Sequence, residues 1–104
     1  MSTAPIKIRA RLDGDRLELR TQLSHPMETG QRKDASGRLV PLHFIQQVRI
    51  TLNGTLVIEA DCGPGLSANP NLAFRLRGAK VGDLLQVSWH DNQGQSRSET
   101  QVLV

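Results

Sequence analysis

The side chains best suited to metal binding or catalysis in this chain of 104 residues are three histidines and one cysteine: His25, His43, His90 and Cys62. A mononuclear iron or copper site in a β protein would use such ligands. No two of the four lie at a short ligand spacing, so a metal site would require the fold to bring all four together. His25 falls on the apolar register just before Pro26, and His90 lies on the polar face opposite Trp89. Ordinary surface or hydrogen-bonded histidines are the simpler interpretation.

Cys62 is the only cysteine, which excludes an intrachain disulfide and a paired-cysteine zinc or redox motif. Gly63-Pro64-Gly65 follows it and predicts a loop. No histidine or orienting third group is placed beside the thiol by the sequence, as nucleophilic catalysis would require. Three interpretations stay open: an inert, partly buried thiol, a disulfide to a partner chain, and an exposed reactive thiol.

The carboxylates and glycines do not form an evident catalytic motif. Asp13 and Asp15 flank Gly14, which is typical of a turn. Gly63-Pro64-Gly65 precedes no helical pattern and so lacks the helix N-terminus that binds phosphate. Turn and surface roles are therefore the favoured interpretation of these residues.

Two loops interrupt an otherwise regular pattern, and loops on a rigid β scaffold often carry binding. The first is His25–Asp34, in which Pro26 favours an extended His25 and Gly30 permits a sharp turn. It also places the adaptable, apolar Met27 beside a dense run of charge, which would suit a contact surface. The second is Asp61–Asn71. Physical reasoning alone leaves two interpretations of the first loop, a binding surface and a solvated connection between strands.

Elsewhere apolar and polar residues alternate with the period of two that is typical of half-buried strands. The alternating runs are Ile6–Leu12, Leu17–Leu23, Val48–Asn53, Leu72–Arg77, Leu85–His90 and the tail Gln101–Val104. Asn53-Gly54 predicts a two-residue hairpin turn that joins strands over Phe44–Asn53 and Thr55–Ala60. About seven short strands of this kind predict one all-β domain over residues 1–104, an immunoglobulin-like antiparallel β-sandwich.

Composition limits the partners. Aromatic residues are only 3% of the chain, so the core must be mainly Leu, Ile and Val. The net charge is +3, but the basic residues are spread along the chain without interleaved aromatics, which argues against nucleic acid. A mildly basic solvated surface is the simplest interpretation, and an acidic protein partner is the next.

No window approaches the length of a membrane span, so no membrane insertion is expected. Met1–Pro5 shows no export signal, which by itself indicates the cytoplasm.

The segment His25-Pro26-Met27-Glu28-Thr29-Gly30-Gln31-Arg32-Lys33-Asp34 strongly resembles the signature of the SoxZ family. The similarity continues through Gly37–Pro41, the hairpin at Asn53-Gly54, Glu59–Asp61 and Ser67–Phe74, and it includes Trp89 and Asp91–Gly94. It covers most of the chain. The ten-residue loop is specific, whereas the strand matches are not.

The resemblance implies an immunoglobulin-like, non-catalytic subunit without a cofactor, which pairs with SoxY in the SoxYZ sulfur-carrier complex of thiosulfate oxidation. SoxY carries the sulfur on its own cysteine, and the pair is presented to enzymes that include the haem-containing SoxAX and the hydrolase SoxB. The family is periplasmic and is exported folded with a signal-bearing partner. That would account for the missing leader.

For the site, the resemblance implies a partner-binding surface made by ten residues: His25, Pro26, Met27, Glu28, Gln31, Arg32, Lys33, Asp34, Asn69 and Pro70. Within it, His25 and Glu28 are expected to hold a contact surface in shape. Cys62 is not expected to carry sulfur, because the Gly-Gly-Cys-Gly terminus of a carrier is absent. An intermolecular disulfide through Cys62 stays open. Two other classes remain as alternatives: a metal-binding redox protein using His25, His43, His90 and Cys62, and a free-standing adhesion or ligand-binding module.

Overall fold

The structure, a computed structural model, describes residues 6–104. It contains seven strands: β1 (Lys7–Asp13), β2 (Arg16–Gln22), β3 (Ile45–Leu52), β4 (Thr55–Asp61), β5 (Asn71–Arg77), β6 (Leu84–Asp91) and β7 (Ser96–Val102). Met1–Pro5, on which the expectation of a missing leader depends, lie outside this range. No helix long and apolar enough to cross a membrane occurs between residues 6 and 104.

The strands form two antiparallel sheets. One has three strands in the order β1-β2-β5, and the other has four in the order β4-β3-β6-β7. This arrangement confirms the predicted immunoglobulin-like β-sandwich.

The alternating residues bury one face of each sheet, as predicted. Leu17 and Leu19 of β2, Val48 and Ile50 of β3 and Leu85 and Val87 of β6 are fully or almost fully buried. Each such side chain contributes about 1.5–3 kcal/mol when it leaves water. Trp89 closes one end of this aliphatic core and is 6% exposed. The prediction of a core made mainly of Leu, Ile and Val is confirmed.

The hairpin predicted at Asn53-Gly54 is confirmed. Both residues have positive φ, at 50° and 83°, and they connect β3 to β4 within a residue or so of the predicted boundaries. The expectation of a terminal strand over Gln101–Val104 is wrong in its limits, since β7 spans Ser96–Val102. The backbone N–H of Leu103 donates to the carbonyl of Asp83, outside the ladder. The first residues of β7 were missed because they alternate without apolar side chains.

Candidate functional site

One end of the sandwich brings the two predicted loops together. The backbone N–H of His25 donates to Asn69 Oδ1 at 3.0 Å, and the N–H of Asn69 donates to the His25 carbonyl at 2.9 Å. The N–H of Leu23 donates to the Pro70 carbonyl at 3.0 Å. We call this part of the molecule the loop end; it comprises residues 23–44, 62–70 and the β6–β7 turn at 92–95. The two segments that broke the strand pattern thus form one surface.

A buried aspartate anchors the loop end. Asp91 Oδ2 lies 2.9 Å from His25 Nε2 and 2.7 Å from His43 Nε2, and its side chain is fully buried. The N–H of Met27 donates to His25 Nδ1 at 3.0 Å. Because Nδ1 accepts this bond, the proton of a neutral imidazole sits on Nε2 and is donated to Asp91. We call His25, His43 and Asp91 the His-Asp-His clamp.

The second oxygen of Asp91 is also satisfied. Oδ1 accepts the backbone N–H groups of Gln93 at 3.0 Å and Gln95 at 2.8 Å. The carboxylate therefore receives two donors on each oxygen and ties the segments that follow β2 and precede β3 to the β6–β7 turn. The His25 ring also packs edge-on against Trp89, with centroids 5.1 Å apart. This joins the clamp directly to the core.

The electrostatics of the clamp favour a neutral His25 and an ionised Asp91. Burial lowers the pKa of His25, and the hydrogen bond to Asp91 opposes that effect only in part. Burial raises the pKa of Asp91, but the hydrogen bonds from His25, Gln95, His43 and Gln93 together outweigh it and hold that pKa below its usual range. At neutral pH the carboxylate is thus an acceptor for both rings.

The same three residues offer ligand atoms within 4.8 Å of one another, so the clamp must be considered as a metal site. Binding through His25 Nε2 would require the imidazole proton to move to Nδ1. Nδ1 faces the N–H of Met27, so a proton on Nδ1 would leave two hydrogen-bond donors, the ring N–H and the backbone N–H, facing each other. The hydrogen bonds thus favour a structural clamp over a metal centre.

The alternative metal site of four ligands is wrong, because only two of its members converge. His25 and His43 meet at Asp91, whereas Cys62 and His90 do not belong to that cluster. His90 is exposed because the alternation of β6 turns it away from the core, as expected. Sequence reasoning missed Asp91, which is followed directly by the turn-forming residues Asn92, Gln93 and Gly94. The available signal was its register, since Asp91 continues the inward series Leu85, Val87 and Trp89.

The clamp predicts a pH-dependent stability. Because burial lowers the pKa of His25 below its ordinary value of about 6.5, the unfolded chain takes up its proton first as pH falls. The free energy of unfolding is therefore highest above that value and declines below it, and protonation of Asp91 adds a further loss below about pH 4. Thermal melts should show this decline in the native chain and in a His90→Gln control. A melting temperature that stays constant between about pH 7.5 and 5 would contradict the prediction.

Beyond the clamp, residues 28–43 fold back on themselves, and we call them the loop arm. Its base is a pair of backbone hydrogen bonds between Glu28 and His43, and a second bridge joins Lys33 to Leu39. At the tip, Asp34 Oδ1 accepts the backbone N–H groups of Ser36 and Arg38. All residues from 31 to 39 are exposed. The arm is thus an ordered, solvent-facing hairpin and not a loose connection.

The ten predicted partner-binding residues divide into two groups by burial. Pro26, Gln31, Arg32, Lys33, Asp34 and Asn69 are exposed and Glu28 is half-buried, whereas His25, Met27 and Pro70 are buried. Glu28 forms an ion pair with Arg32 across one turn of the chain. These positions place all ten residues at the loop end; whether a partner contacts them stays a prediction.

The expectation that Met27 offers an apolar contact on a polar loop is wrong for the free chain. Met27 has a positive φ of 50°, is 5% exposed and packs in the core, where its sulfur accepts the N–H of Ile45 at 3.4 Å. The exposed large hydrophobic side chains of the arm are instead Leu39 and Leu42, at 60% and 41% exposure. Sequence reasoning did not single out either leucine.

Cys62 is half-buried beside the end of β4. It lies in a shallow hollow of about 240 Å³ whose apolar lining includes Leu66, Leu72 and Phe74. Burial raises the pKa of the thiol, and the charge of Asp61 raises it further. A raised pKa leaves little thiolate at neutral pH, which disfavours the interpretation of a reactive thiol. A disulfide to a partner chain stays a prediction.

The fold and site define a class: an immunoglobulin-like sandwich whose most elaborate feature is an anchored, exposed arm at one end. The comparisons with known proteins are more specific. The chain belongs to the family described as sulphur oxidation protein SoxZ, whose model matches residues 6–102, and its role lies in sulfur oxidation. That match includes both loops of the loop end and Asp91. No curated protein matched the chain.

Proposed function

We propose that this chain is the non-catalytic binding subunit of a SoxYZ-type sulfur-carrier heterodimer. It pairs with a SoxY-type protein, which carries the sulfur on its own cysteine, and helps to present that carrier to other Sox enzymes such as SoxAX and SoxB. Members of the SoxZ family are small subunits of the Sox system. The observation that carries the proposal is the loop arm, which is fixed at its base by a pair of backbone hydrogen bonds and exposed from residue 31 to 39.

The arm suits recognition because it is pre-organised. A loop that is ordered before binding loses less conformational entropy on association. Leu39 and Leu42 supply exposed apolar area, and Arg32, Lys33 and Asp34 supply charge around it. Protein interfaces combine an apolar centre with a polar rim in this way. In this proposal His25, Met27 and Pro70 hold the arm in place, and the exposed residues contact the partner.

The clamp supports a structural role over a catalytic one. Both oxygens of Asp91 are occupied by protein donors, and the two nitrogens of His25 are paired with Asp91 and Met27. A general acid or base needs a site at which substrate can reach its proton. His25 offers none. We also propose a periplasmic location, reached by export together with a signal-bearing SoxY-type partner.

Co-expression tests the proposal. When this chain is produced with an affinity tag alongside a SoxY-type chain, the two should co-purify and elute as one species at micromolar concentration. The chain produced alone and mixed with an unrelated immunoglobulin-like domain is the control. Separate elution of the two Sox chains would contradict the proposal and would favour a free-standing binding module.

A further inference from the structure

The fold gathers most of the basic residues onto one surface, contrary to the expectation of charges spread over a mildly basic exterior. The outward positions of the sheet β1-β2-β5 carry seven basic side chains: Lys7, Arg9, Arg11, Arg16, Arg20, Arg75 and Arg77. Only two acidic side chains, Asp13 and Glu18, share that face. Seven basic against two acidic residues give it a net charge of +5, whereas the remaining six basic and eight acidic residues sum to −2. We call this surface the basic face.

The register of the sheet leaves unbalanced positive charge on the basic face, although Glu18 lies opposite Arg11 and Arg75 and Asp13 lies opposite Arg16. Arg9 lies directly opposite Arg20, and Arg16 lies directly opposite Arg77. Like charges at directly opposed positions destabilise an antiparallel pair. The ion pairs and side-chain hydrogen bonds found in residues 6–104 include none of the seven basic side chains. The positive charge is therefore available to a partner.

The chemistry of the face favours carboxylates as the complement. Six of its seven basic residues are arginines, whose planar guanidinium groups bind carboxylates through paired hydrogen bonds. A hollow of about 300 Å³ lies among Lys7, Arg9, Arg20 and Asn71. Each of the three strands has four outward positions. These extend over about 20 Å along the strand, since alternate residues lie about 7 Å apart. That is the scale of a patch on another protein.

Other polyanions suit the face less well. Single-stranded nucleic acid binds proteins through aromatic stacking as well as charge. The aromatic side chain on these three strands, Phe74, belongs to the inward series of β5 and packs against the core. Attachment to an anionic membrane surface uses apolar side chains that insert beside the basic ones. The outward positions between residues 7 and 77 on this sheet carry only the small Ala73 as an apolar group.

We propose that the basic face binds an acidic, aspartate- and glutamate-rich patch on a protein partner. The face is a different surface from the loop arm. The inference therefore goes beyond the proposed pairing with a SoxY-type chain and does not depend on it. Complementary charge of this kind accelerates association and becomes less effective as salt is added.

The test uses the full chain with poly-L-glutamate as the acidic probe. In the variant Arg9→Glu/Arg77→Glu, each new carboxylate faces a retained arginine, Arg20 or Arg16, so the sheet should be no less stable. The face falls from +5 to +1. We expect poly-L-glutamate affinity to drop at least about 10-fold and its salt dependence to flatten. The control Arg38→Glu/Lys80→Glu changes the net charge equally at exposed positions off the face, and should stay within about 2-fold of the native chain.

Two rival ligands complete the test, a single-stranded DNA oligonucleotide and vesicles of phosphatidylglycerol. Equal poly-L-glutamate affinity in the face variant and the control would overturn the proposal. It would also be overturned if the face variant lost more affinity for DNA or for the vesicles than for poly-L-glutamate. Circular dichroism melts of all variants establish that each is folded, so a binding loss with an unchanged melting temperature supports the proposal. None of these outcomes bears on pairing with a SoxY-type chain.

Discussion

Replacing Asp91 with alanine is expected to lower the free energy of unfolding by about 3–5 kcal/mol, because it removes the charged acceptor of several hydrogen bonds, each of which contributes about 1.5–3 kcal/mol. The substitution would leave four donors without their acceptor: the buried ring N–H of His25 and the partly buried N–H groups of the His43 ring, Gln93 and Gln95. Each such loss carries a desolvation penalty. Urea denaturation gives the loss directly. This is a large effect because small domains have only about 5–15 kcal/mol of stability in total.

Two companion variants separate the clamp from general effects. Asp91→Asn keeps one oxygen for the backbone donors but places an amide N–H₂ near the histidines, so its loss should be intermediate. Asp13→Ala removes an exposed carboxylate at the end of β1 and should change stability by no more than about 0.5 kcal/mol. If Asp91→Ala cost less than about 1 kcal/mol, the clamp would not be the anchor that we describe.

The second large effect is expected in binding. The variant Leu39→Asp/Leu42→Asp places two charges on the exposed apolar part of the loop arm. We expect it to weaken pairing with a SoxY-type chain by about 100-fold, or about 2.7 kcal/mol. Charges buried at an interface without partners are costly. The free energy of unfolding of the isolated chain should fall by no more than about 1 kcal/mol, because Leu39 is mostly solvated and Leu42 is 41% exposed. Isothermal titration calorimetry measures the affinity.

The matched control is Val81→Asp/Val104→Asp, which makes the same change at side chains that are 74% and 91% exposed. Val81 lies in the β5–β6 turn, at the end of the sandwich opposite to the loop end. The control should bind like the native chain. If the control weakened pairing and the arm variant did not, the partner would bind at the opposite end.

Much of the fold could be predicted from the sequence because the alternation of apolar and polar residues along a strand shows which of its faces is buried. The inward series Leu17, Leu19, Leu23 and its equivalents on β3 and β6 gave both the strands and the face that each buries. The strand β7 was harder to define. Its inward positions, Arg97, Glu99 and Gln101, are polar and half-buried, and Arg97 and Glu99 form an ion pair with each other.

The site could be predicted only in part. The loop His25–Asp34 stood out by its composition, but the partners of His25 are distant in the sequence. The antiparallel register of β3 and β6, in which Ile45 pairs with Asp91, places Asp91 near His43, whereas His25 follows β2 of the other sheet. The basic face escaped prediction for the same reason. Alternation along a strand is visible in a sequence, whereas the pairing that places Arg9 opposite Arg20 exists only in the folded sheet.

The central claim, that this chain is a binding subunit, is tested most directly by sedimentation velocity. Purified chain is mixed with an equal amount of a purified SoxY-type protein at micromolar concentration, and each is also run alone. We expect the mixture to sediment as one species with the summed mass of the two chains. A mixture in which both chains sediment as they do alone would contradict the account.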